Sequence, residues 1–356
     1  MLTVLNVAFP FAAVTPDSVG GAEQVVCALD RALVAAGHRS VVLAHSASNV
    51  RGTLAGVPVR DGPVTAELRE RIAARYRRTL TELLAHDRPD LVHFHGVDCA
   101  DYVPDCTVPR LVTLHLALSR YGASLFAPSR GILFNCVSEA QRRTIPPSIS
   151  VQATIDNGVD LDALSPASRP TGGYAACLGR VCAEKGFDIA LRAARAAGVG
   201  LRVAGRVFPY PDHERYFVQS VVPELDSERQ FVGPLGGLAR RDFLANAECL
   251  VVPSQVPETS SLATMEALAC GTPVIVYDRG ALPSLVEPGV TGFIVRDEEE
   301  LAAALRRVGT LNRLACRSSA ETRFDLRRTT ERYLALYQHL TAPQAPEAHG
   351  PRLEAS

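Results

Sequence analysis

The chain has 356 residues, 47% of them hydrophobic and 21% charged, and its formal net charge is −1. A length of this size favours two domains, since single cores stop growing at roughly 250–300 residues, and the near-neutral charge gives no overall attraction to nucleic acid or acidic lipid. No apolar run approaches the roughly 20 residues that a membrane-spanning helix needs.

The first segment, MLTVLNVAFPF, is apolar and lacks the basic start of a signal peptide. It predicts a buried strand over Leu2–Phe9 and a cytoplasmic protein. A glycine loop follows, after which Val25, Leu29 and Leu33 recur with helical spacing.

The rest of the first half alternates predicted strands with helices. A long amphipathic helix is predicted over Ala66–His86, stopped by Pro89. The further strands are predicted at Ser40–Ala44, Leu91–His95, Arg110–His115 and Ile132–Ser138.

A Pro-, Gly- and Ser-rich segment, SPASRPTGG over 165–173, predicts a linker, after which the alternation starts again. Strands are predicted at Tyr174–Leu178, Gly200–Ala204, Gln230–Val232, Cys249–Pro253 and Pro273–Tyr277. Helices are predicted at Phe187–Ala197, Arg240–Ala247, Leu262–Ala269 and Glu299–Val308, with one or two more over Glu321–Leu340.

This alternation predicts an α/β protein with two parallel sheets, each covered by helices on both faces. Such sheets bind ligands at the carboxyl ends of their strands, so functional residues are expected just after strands. Two such sheets facing each other form a cleft.

Two residue types are distributed unusually. Lys185 is the single lysine among 37 basic residues, which suggests a task that needs a compact ammonium group. The nine cysteines show no metal-like pairing and are predicted to be buried free thiols.

Four charged residues in the second half follow predicted strands or lie on the next helix. Arg180 and Lys185 can bind and stabilise the charge of a diphosphate leaving group. Glu258 can accept hydrogen bonds from sugar hydroxyls, and Glu266 from the two hydroxyls of a ribose. The amides at 259–262 open a helix, and a helix N-terminus is an anion site.

These motifs resemble the retaining glycosyltransferase family 4, which has the GT-B fold of two Rossmann-like domains facing a cleft. The stretch PETSSLATMEALACGTPVI is similar to the family's Glu–seven residues–Glu motif, and LGRVCAEKG to its donor loop. VGGAEQVV resembles the family's glycine loop, and HFHG, TLH and NGVD also fit. The resemblance extends to about residue 310.

The resemblance implies a role for each matching residue. It assigns Arg180 and Lys185 to the donor diphosphate, Glu258 and His115 to the transferred sugar, and Glu266 to the ribose. The remaining donor-binding positions that it implies are Gly20, Gly21, Ser260, Ser261 and Leu262.

The resemblance also implies a domain plan. An acceptor-binding domain is expected over 1–164 and a nucleotide-sugar domain over 165–324. A helix within 325–340 is expected to cross back to the first domain, and a disordered tail is predicted over 341–356.

One departure from the commonest family form stands after Glu258, where Thr259, Ser260 and Ser261 replace Gly-Phe-Gly. We expect the helix start to survive and the hydroxyls to be able to contact phosphate. No Asp-any-Asp pair follows a strand, which favours transfer without a metal or other cofactor.

The predicted function is retaining transfer of a sugar, with a UDP-sugar favoured, to a hydroxyl on a small molecule, glycan or lipid-linked acceptor. Natural-product tailoring and cell-envelope or polysaccharide assembly both fit this chemistry. A sugar-nucleotide epimerase and a non-catalytic nucleotide-sugar-binding protein are the alternatives.

The helix over Ala66–His86 carries a basic face. It is predicted to be a solvated surface, with peripheral docking on anionic lipid as the alternative. The arginines concerned are Arg69, Arg71, Arg75, Arg77 and Arg78.

Overall fold

The computed structural model describes residues 1–60, 62–167 and 171–342. The centre of the predicted linker, at 168–170, and the predicted tail beyond residue 342 lie outside these ranges. Within them, the chain forms two parallel sheets, and every pairing between their strands is parallel.

The first sheet has seven strands in the order β3-β2-β1-β4-β5-β6-β7. Its strands are β1 Thr3–Val7, β2 Arg39–His45, β3 Thr53–Val57, β4 Leu91–Phe94, β5 Arg110–Leu114, β6 Leu133–Cys136 and β7 Val151–Thr154. The helices of this half are α1 Gly21–Ala35, α2 Ala66–His86 and α3 Glu139–Arg142.

The second sheet has six strands in the order β10-β9-β8-β11-β12-β13. Its strands are β8 Tyr174–Arg180, β9 Gly200–Arg206, β10 Arg229–Gly233, β11 Cys249–Val252, β12 Val274–Tyr277 and β13 Gly292–Val295. The helices that follow β8 are α4 Phe187–Ala197, α5 Pro211–Tyr216, α6 Gly237–Asn246, α7 Leu262–Ala269, α8 Glu298–Arg307, α9 Arg313–Arg323 and α10 Leu326–Thr341.

Local sequence explains where the best-predicted helices begin and end. The Thr65 hydroxyl accepts a hydrogen bond from the Leu68 amide and starts α2, as an N-cap does. Gly198 adopts a left-handed conformation (φ 71°) that terminates α4. Helices α2, α4 and α7 have the predicted bounds.

The elements that the sequence pattern missed are short or peripheral. The strands β3, β7 and β13, the helix α5 and most of α9 were not predicted. Strands β3, β7 and β13 each lie at an edge of a sheet, where one side is unpaired. The sequences of β3 and β7, TLAGV and VQAT, are also weakly apolar, and β13 is only four residues long.

The strand order reverses once in each sheet, between β1 and β4 in the first and between β8 and β11 in the second. Parallel α/β sheets bind ligands outside the carboxyl ends of their strands at such a point. These two positions therefore define where the site should be sought.

The end of the described chain returns to the first half. In α10, the buried side chains of Tyr333, Leu336 and Tyr337 pack in one apolar cluster with Leu29 and Leu33 of α1. The predicted domain boundaries, at 164/165 and 324/325, stay a prediction.

The crossing to α10 lies beside the segment that leaves the first sheet. The Val159 amide donates to the Phe324 carbonyl at 2.8 Å, and the Leu326 amide donates to the Val159 carbonyl at 3.1 Å. A Cβ on Gly158 would lie 2.8 Å from the Leu326 Cα, so only glycine fits there. The Asn157-Gly158 pair of the NGVD segment thus lies where the chain crosses between the two halves in both directions.

Candidate functional site

Arg180 and Lys185 lie at the carboxyl end of β8. Arg180 is the last residue of this central strand, and a 3₁₀ turn over Ala183–Lys185 follows it. Gly186 has φ 64°, and a Cβ there would lie 2.4 Å from the Pro253 carbonyl oxygen after β11. The glycine therefore allows the loop that carries both cations to pack against the end of the neighbouring strand.

The Lys185 ammonium binds the carboxylate of Glu258. The distance from Lys185 Nζ to Glu258 Oε1 is 2.5 Å, and the Ser254 hydroxyl donates to the same oxygen at 2.7 Å. Both charged side chains are less than a quarter exposed, which strengthens their attraction. No side chain in the described ranges contacts Glu258 Oε2 by a hydrogen bond, so this oxygen can accept one from a ligand.

The second glutamate of the motif, Glu266, lies on α7 and is buried. Burial raises its pKa, while the Arg240 guanidinium, whose Nη2 lies 3.5 Å from Glu266 Oε1, acts in the opposite direction. Glu266 follows Leu262 by four residues, so both side chains lie on one face of α7. Arg240, on α6, was not singled out from the sequence, because its contact with Glu266 arises only in the folded chain.

The glycine loop of the first half faces the start of α7. A Cβ on Gly21 would lie 3.3 Å from Leu262 Cδ1, whereas one on Gly20 would overlap the Glu23 carboxylate. Glu23 is buried in the first turn of α1, and burial raises its pKa while the Arg180 guanidinium lowers it. Glu23 was also missed from the sequence.

His115 follows β5 and belongs to a row of three histidines. Its Nε2 lies 3.0 Å from His95 Nδ1, and the ring centres of His95 and His93 lie 3.9 Å apart with their planes tilted by 45°. Burial lowers the pKa of His115 to about 4 and the pKa values of His93 and His95 well below their usual range. All three rings are therefore neutral at pH 7.

The histidine row reaches the helix that crosses back. His93 forms hydrogen bonds of 2.7 Å with both the Tyr337 hydroxyl of α10 and the Thr113 hydroxyl of β5. The sequence places His93 and His95 two positions apart on the predicted strand Leu91–His95, so both lie on one face of it. It gave no sign of the tyrosine contact, which joins residues 244 positions apart.

The three residues that replace Gly-Phe-Gly use their hydroxyls within the protein. Thr259 Oγ1 donates to the His115 carbonyl at 2.6 Å, and Ser260 Oγ accepts from Asn157 Nδ2 at 3.1 Å. Ser261 Oγ caps α7 and accepts from the Thr264 amide at 3.3 Å. The amides at the start of α7 remain the ones that can face an anion.

Direct contacts therefore bring most of the predicted site together. Lys185 contacts Glu258, the next residue Thr259 contacts His115, and Gly21 faces Leu262. Arg180 joins the group less directly: its Nη2 lies 3.9 Å from Glu184 Oε2 on the loop that ends in Lys185. Ser138, the last residue of the strand predicted at Ile132–Ser138, caps α3 by accepting from the Gln141 amide.

The basic face of α2 is partly engaged by the protein itself. Arg69 lies over the Phe11 ring at 5.6 Å, and Arg77 donates to the Asp101 carbonyl at 2.5 Å. Within the described ranges, no helix is long and apolar enough to cross a membrane. All nine cysteines are free thiols, and all but Cys106 are buried.

The described residues include no cluster of three or more His, Cys, Asp or Glu side chains arranged to hold a metal ion. The cationic groups nearest the motif are thus arginine and lysine side chains. They can bind a phosphorylated ligand by charge-assisted hydrogen bonds.

Solved structures share this architecture. The chain superposes on a sucrose-phosphate synthase from Thermosynechococcus elongatus with a TM-score of 0.79, at 20% identity, over 96% of this chain and 100% of that one. It superposes on Anabaena Alr3699/HepE, solved in complex with UDP-glucose, with a TM-score of 0.71, at 17% identity, over 95% and 100% of the two chains. The protein therefore has the GT-B fold.

Family comparisons agree with the fold. Residues 19–163 match Glycosyltransferase Family 4, and residues 173–310 match Glycosyl transferases group 1. The chain belongs to this family of GT-B glycosyltransferases, as its motifs predicted.

Curated relatives carry several names. Over 217 residues, the chain is 32% identical to a D-inositol 3-phosphate glycosyltransferase of Saccharomonospora viridis. The matched segment covers 53% of this chain and 50% of the relative. Over 187 residues, it is 33% identical to a glycogen synthase of Xanthomonas euvesicatoria, covering 49% of this chain and 36% of the relative. The chain spans half or less of the length of these relatives.

Proposed function

We propose that this protein transfers a sugar from a nucleoside diphosphate sugar to a hydroxyl acceptor, with retention of anomeric configuration. The observation that carries the proposal is the Lys185–Glu258 pair, formed at 2.5 Å where the second sheet reverses its strand order. A cation for the departing phosphate and an acceptor of sugar hydrogen bonds thus lie side by side.

The cations serve the leaving group. As the bond between the sugar and the diphosphate breaks, negative charge builds on the phosphate oxygens. The Lys185 ammonium has three N–H donors and uses one in its hydrogen bond to Glu258, so two remain for those oxygens. Arg180 adds a planar fork, and the α7 amides add neutral donors, all positioned before the charge develops.

The nucleoside is placed by Glu266. Its carboxylate lies on the same face of α7 as Leu262 and can accept from both ribose hydroxyls, while the Arg240 guanidinium opposes the rise in its pKa that burial causes. The name UDP-glucose in the complex of Alr3699/HepE supports a UDP-sugar as donor. The names of the curated relatives support a hydroxyl-bearing acceptor.

The proposed retention depends on the face of the sugar from which the acceptor hydroxyl attacks. The transition state has oxocarbenium character, as in other glycosyl chemistry. We propose that the acceptor attacks from the face that the phosphate leaves, and that the phosphate oxygen takes the acceptor's proton. Arg180 and Lys185 stabilise the diphosphate in place of a divalent ion.

The test is a panel of UDP-, GDP- and ADP-sugars, each incubated with and without candidate hydroxyl acceptors. Transfer predicts nucleoside diphosphate released in proportion to a product whose anomeric configuration, read by NMR, matches the donor's. Rearrangement of the sugar in the donor without any acceptor would instead identify an epimerase. Binding measured by thermal shift without any turnover would identify a binding protein.

A further inference from the structure

We propose that Thr259 and Ser260, with their partners His115 and Asn157, form a clasp that sets the width of the cleft at the transferred sugar. The clasp is the pair of hydrogen bonds Thr259–His115 and Ser260–Asn157. This inference rests on the proposed function for its kinetic consequences, but its structural part can be tested without turnover.

The clasp joins the two halves at the site itself. Thr259 and Ser260 precede α7 in the second half, whereas His115 follows β5 of the first sheet and Asn157 follows β7. The partners are separated by 144 and 103 residues in sequence. These bonds therefore resist separation of the two sheets next to the sugar position.

Each end of the Thr259 bond is anchored to a proposed sugar contact. On one side, Thr259 directly follows Glu258, which Lys185 and Ser254 hold. On the other side, the acceptor is the carbonyl of His115 itself, whose ring is held by His95 at 3.0 Å. The bond consequently fixes the distance between Glu258 and His115, which contact the sugar from opposite halves.

The hydrogen bond of Thr259 is the stronger of the two clasp bonds. Its hydroxyl donates to a carbonyl at 2.6 Å, and both residues are partly buried, so water competes less for the bond. Ser260 only accepts, from a buried Asn157 whose Oδ1 has no partner among the described residues. Loss of the Ser260 hydroxyl would leave the Asn157 amide with a second unmet group.

The sequence difference gives the clasp a consequence for specificity. Glycine in place of Thr259 and Ser261 would supply no hydroxyl, and phenylalanine in place of Ser260 would supply none either. A chain with those residues would lack both clasp bonds at the sugar position. Here the cleft is pre-set to one width, which favours sugars that fit it and disfavours bulkier ones.

The primary variant is Thr259→Val, which keeps the shape of the side chain and removes the hydroxyl. We expect a five- to tenfold fall in donor kcat/KM, the effect of losing one hydrogen bond that holds the closed state. The fraction of donor hydrolysed relative to donor transferred should rise because the looser cleft admits water. Thr259→Ser retains the hydroxyl that donates the hydrogen bond, so it should restore both the kcat/KM and the fraction of donor sugar hydrolysed.

The structural readout is the distance between two spin labels, at Arg78→Cys on α2 and Glu299→Cys on α8, in a Cys106→Ser background that leaves only buried thiols. Thr259→Val should add longer distances, and Thr259→Ser should match the parent. Thr322→Val, which removes an exposed hydroxyl on α9, is the matched control and should change neither distance nor kinetics.

Identical distance distributions in Thr259→Val and the parent would overturn the clasp, as would failure of Thr259→Ser to restore the parent's distribution. If the wild-type protein transfers no sugar from any donor, the proposed function fails, while the spin-label distances still decide whether the clasp exists.

Discussion

The two halves of the site treat ionisable groups in opposite ways. In the second half, the two motif carboxylates lie beside cations, Glu258 at 2.5 Å from Lys185 and Glu266 at 3.5 Å from Arg240. In the first half, His93 and His95 are buried and His115 is partly buried, and all three have neutral hydrogen-bond partners or none. Removal from solvent lowers their pKa values.

This difference indicates a division of labour. Charged groups in the second half can respond to the charge that develops on a leaving phosphate, whereas neutral groups in the first half can shape the cleft without adding charge beside an oxocarbenium-like sugar. Substitutions in the second half should therefore affect catalysis most, and those in the first half should affect it less.

The largest effect is expected for Lys185→Ala. Loss of a preorganised charge that acts on the leaving group should lower kcat/KM by about 100- to 1,000-fold. Steady-state kinetics with the best donor of the panel measure it. Arg296→Ala removes a cation whose side chain is 77% exposed and should leave kcat/KM unchanged. Full turnover by Lys185→Ala would contradict the proposed role.

The next effect concerns donor binding through Glu266. Glu266→Gln keeps the side-chain shape and removes its charge, so hydrogen bonds to the ribose weaken and the donor KM should rise about tenfold. The change in kcat should be smaller, because the ribose is remote from the breaking bond. Glu299→Gln, on the exposed face of α8, is the matched control. A fall in kcat with an unchanged KM would refute binding of the ribose by Glu266.

The third prediction concerns His115, in the first half of the site. Because burial lowers its pKa to about 4, His115 stays neutral throughout the range from pH 5.5 to 7.5. We expect His115→Gln to lower kcat/KM about fivefold by losing a neutral polar contact. The shape of the pH profile between pH 5.5 and 7.5 should not change. An inflection near pH 6.5 that disappears in His115→Gln would show that the ring titrates, and the comparison of the halves would fail.

The smallest expected effect concerns stability and the partly buried carboxyl of Asp98, in the first half. The Asp98 carboxylate accepts from the Tyr102 hydroxyl at 2.7 Å, and burial raises its pKa from 3.8 to about 6. Because the folded protein holds this proton more tightly than the unfolded one, the contribution of Asp98 to stability decreases as pH rises from about 4 to 6.

Asp98→Asn mimics the protonated carboxyl and should remove that decrease. We expect about 1 kcal/mol of added stability at pH 7.5, since Asp98 is only partly buried, and no gain below pH 4. Chemical denaturation at both pH values measures it. A gain that is equal at pH 4 and pH 7.5 would show that the carboxyl's charge is not the cause.

Much of the architecture follows from local pattern. Helix α2 could be placed to the residue because Thr65 caps it and its apolar residues recur along one face, and α4 because glycines flank it. The edge strand β3 could not, since its sequence TLAGV has little of the apolar pattern that distinguishes buried strands.

The site was predictable where a motif carried it. The Gly-Arg…Lys-Gly loop and the two glutamates gave Lys185, Glu258 and Glu266 positions that the fold brings to one sheet edge. Arg240 and the clasp were not predictable, because no motif of the sequence signals these contacts. A hydroxyl at Thr259 signalled a change in the pocket, and only the structure showed that it meets the His115 carbonyl.

The return of α10 to the first sheet has a consequence for how the protein is made. Tyr333 and Tyr337 fill the cluster that covers Leu29 and Leu33 of α1. During synthesis, that surface therefore stays open until the whole second sheet has been translated. The amino-terminal half emerges first yet is completed last, so truncation before residue 326 should leave it with an exposed, adhesive face.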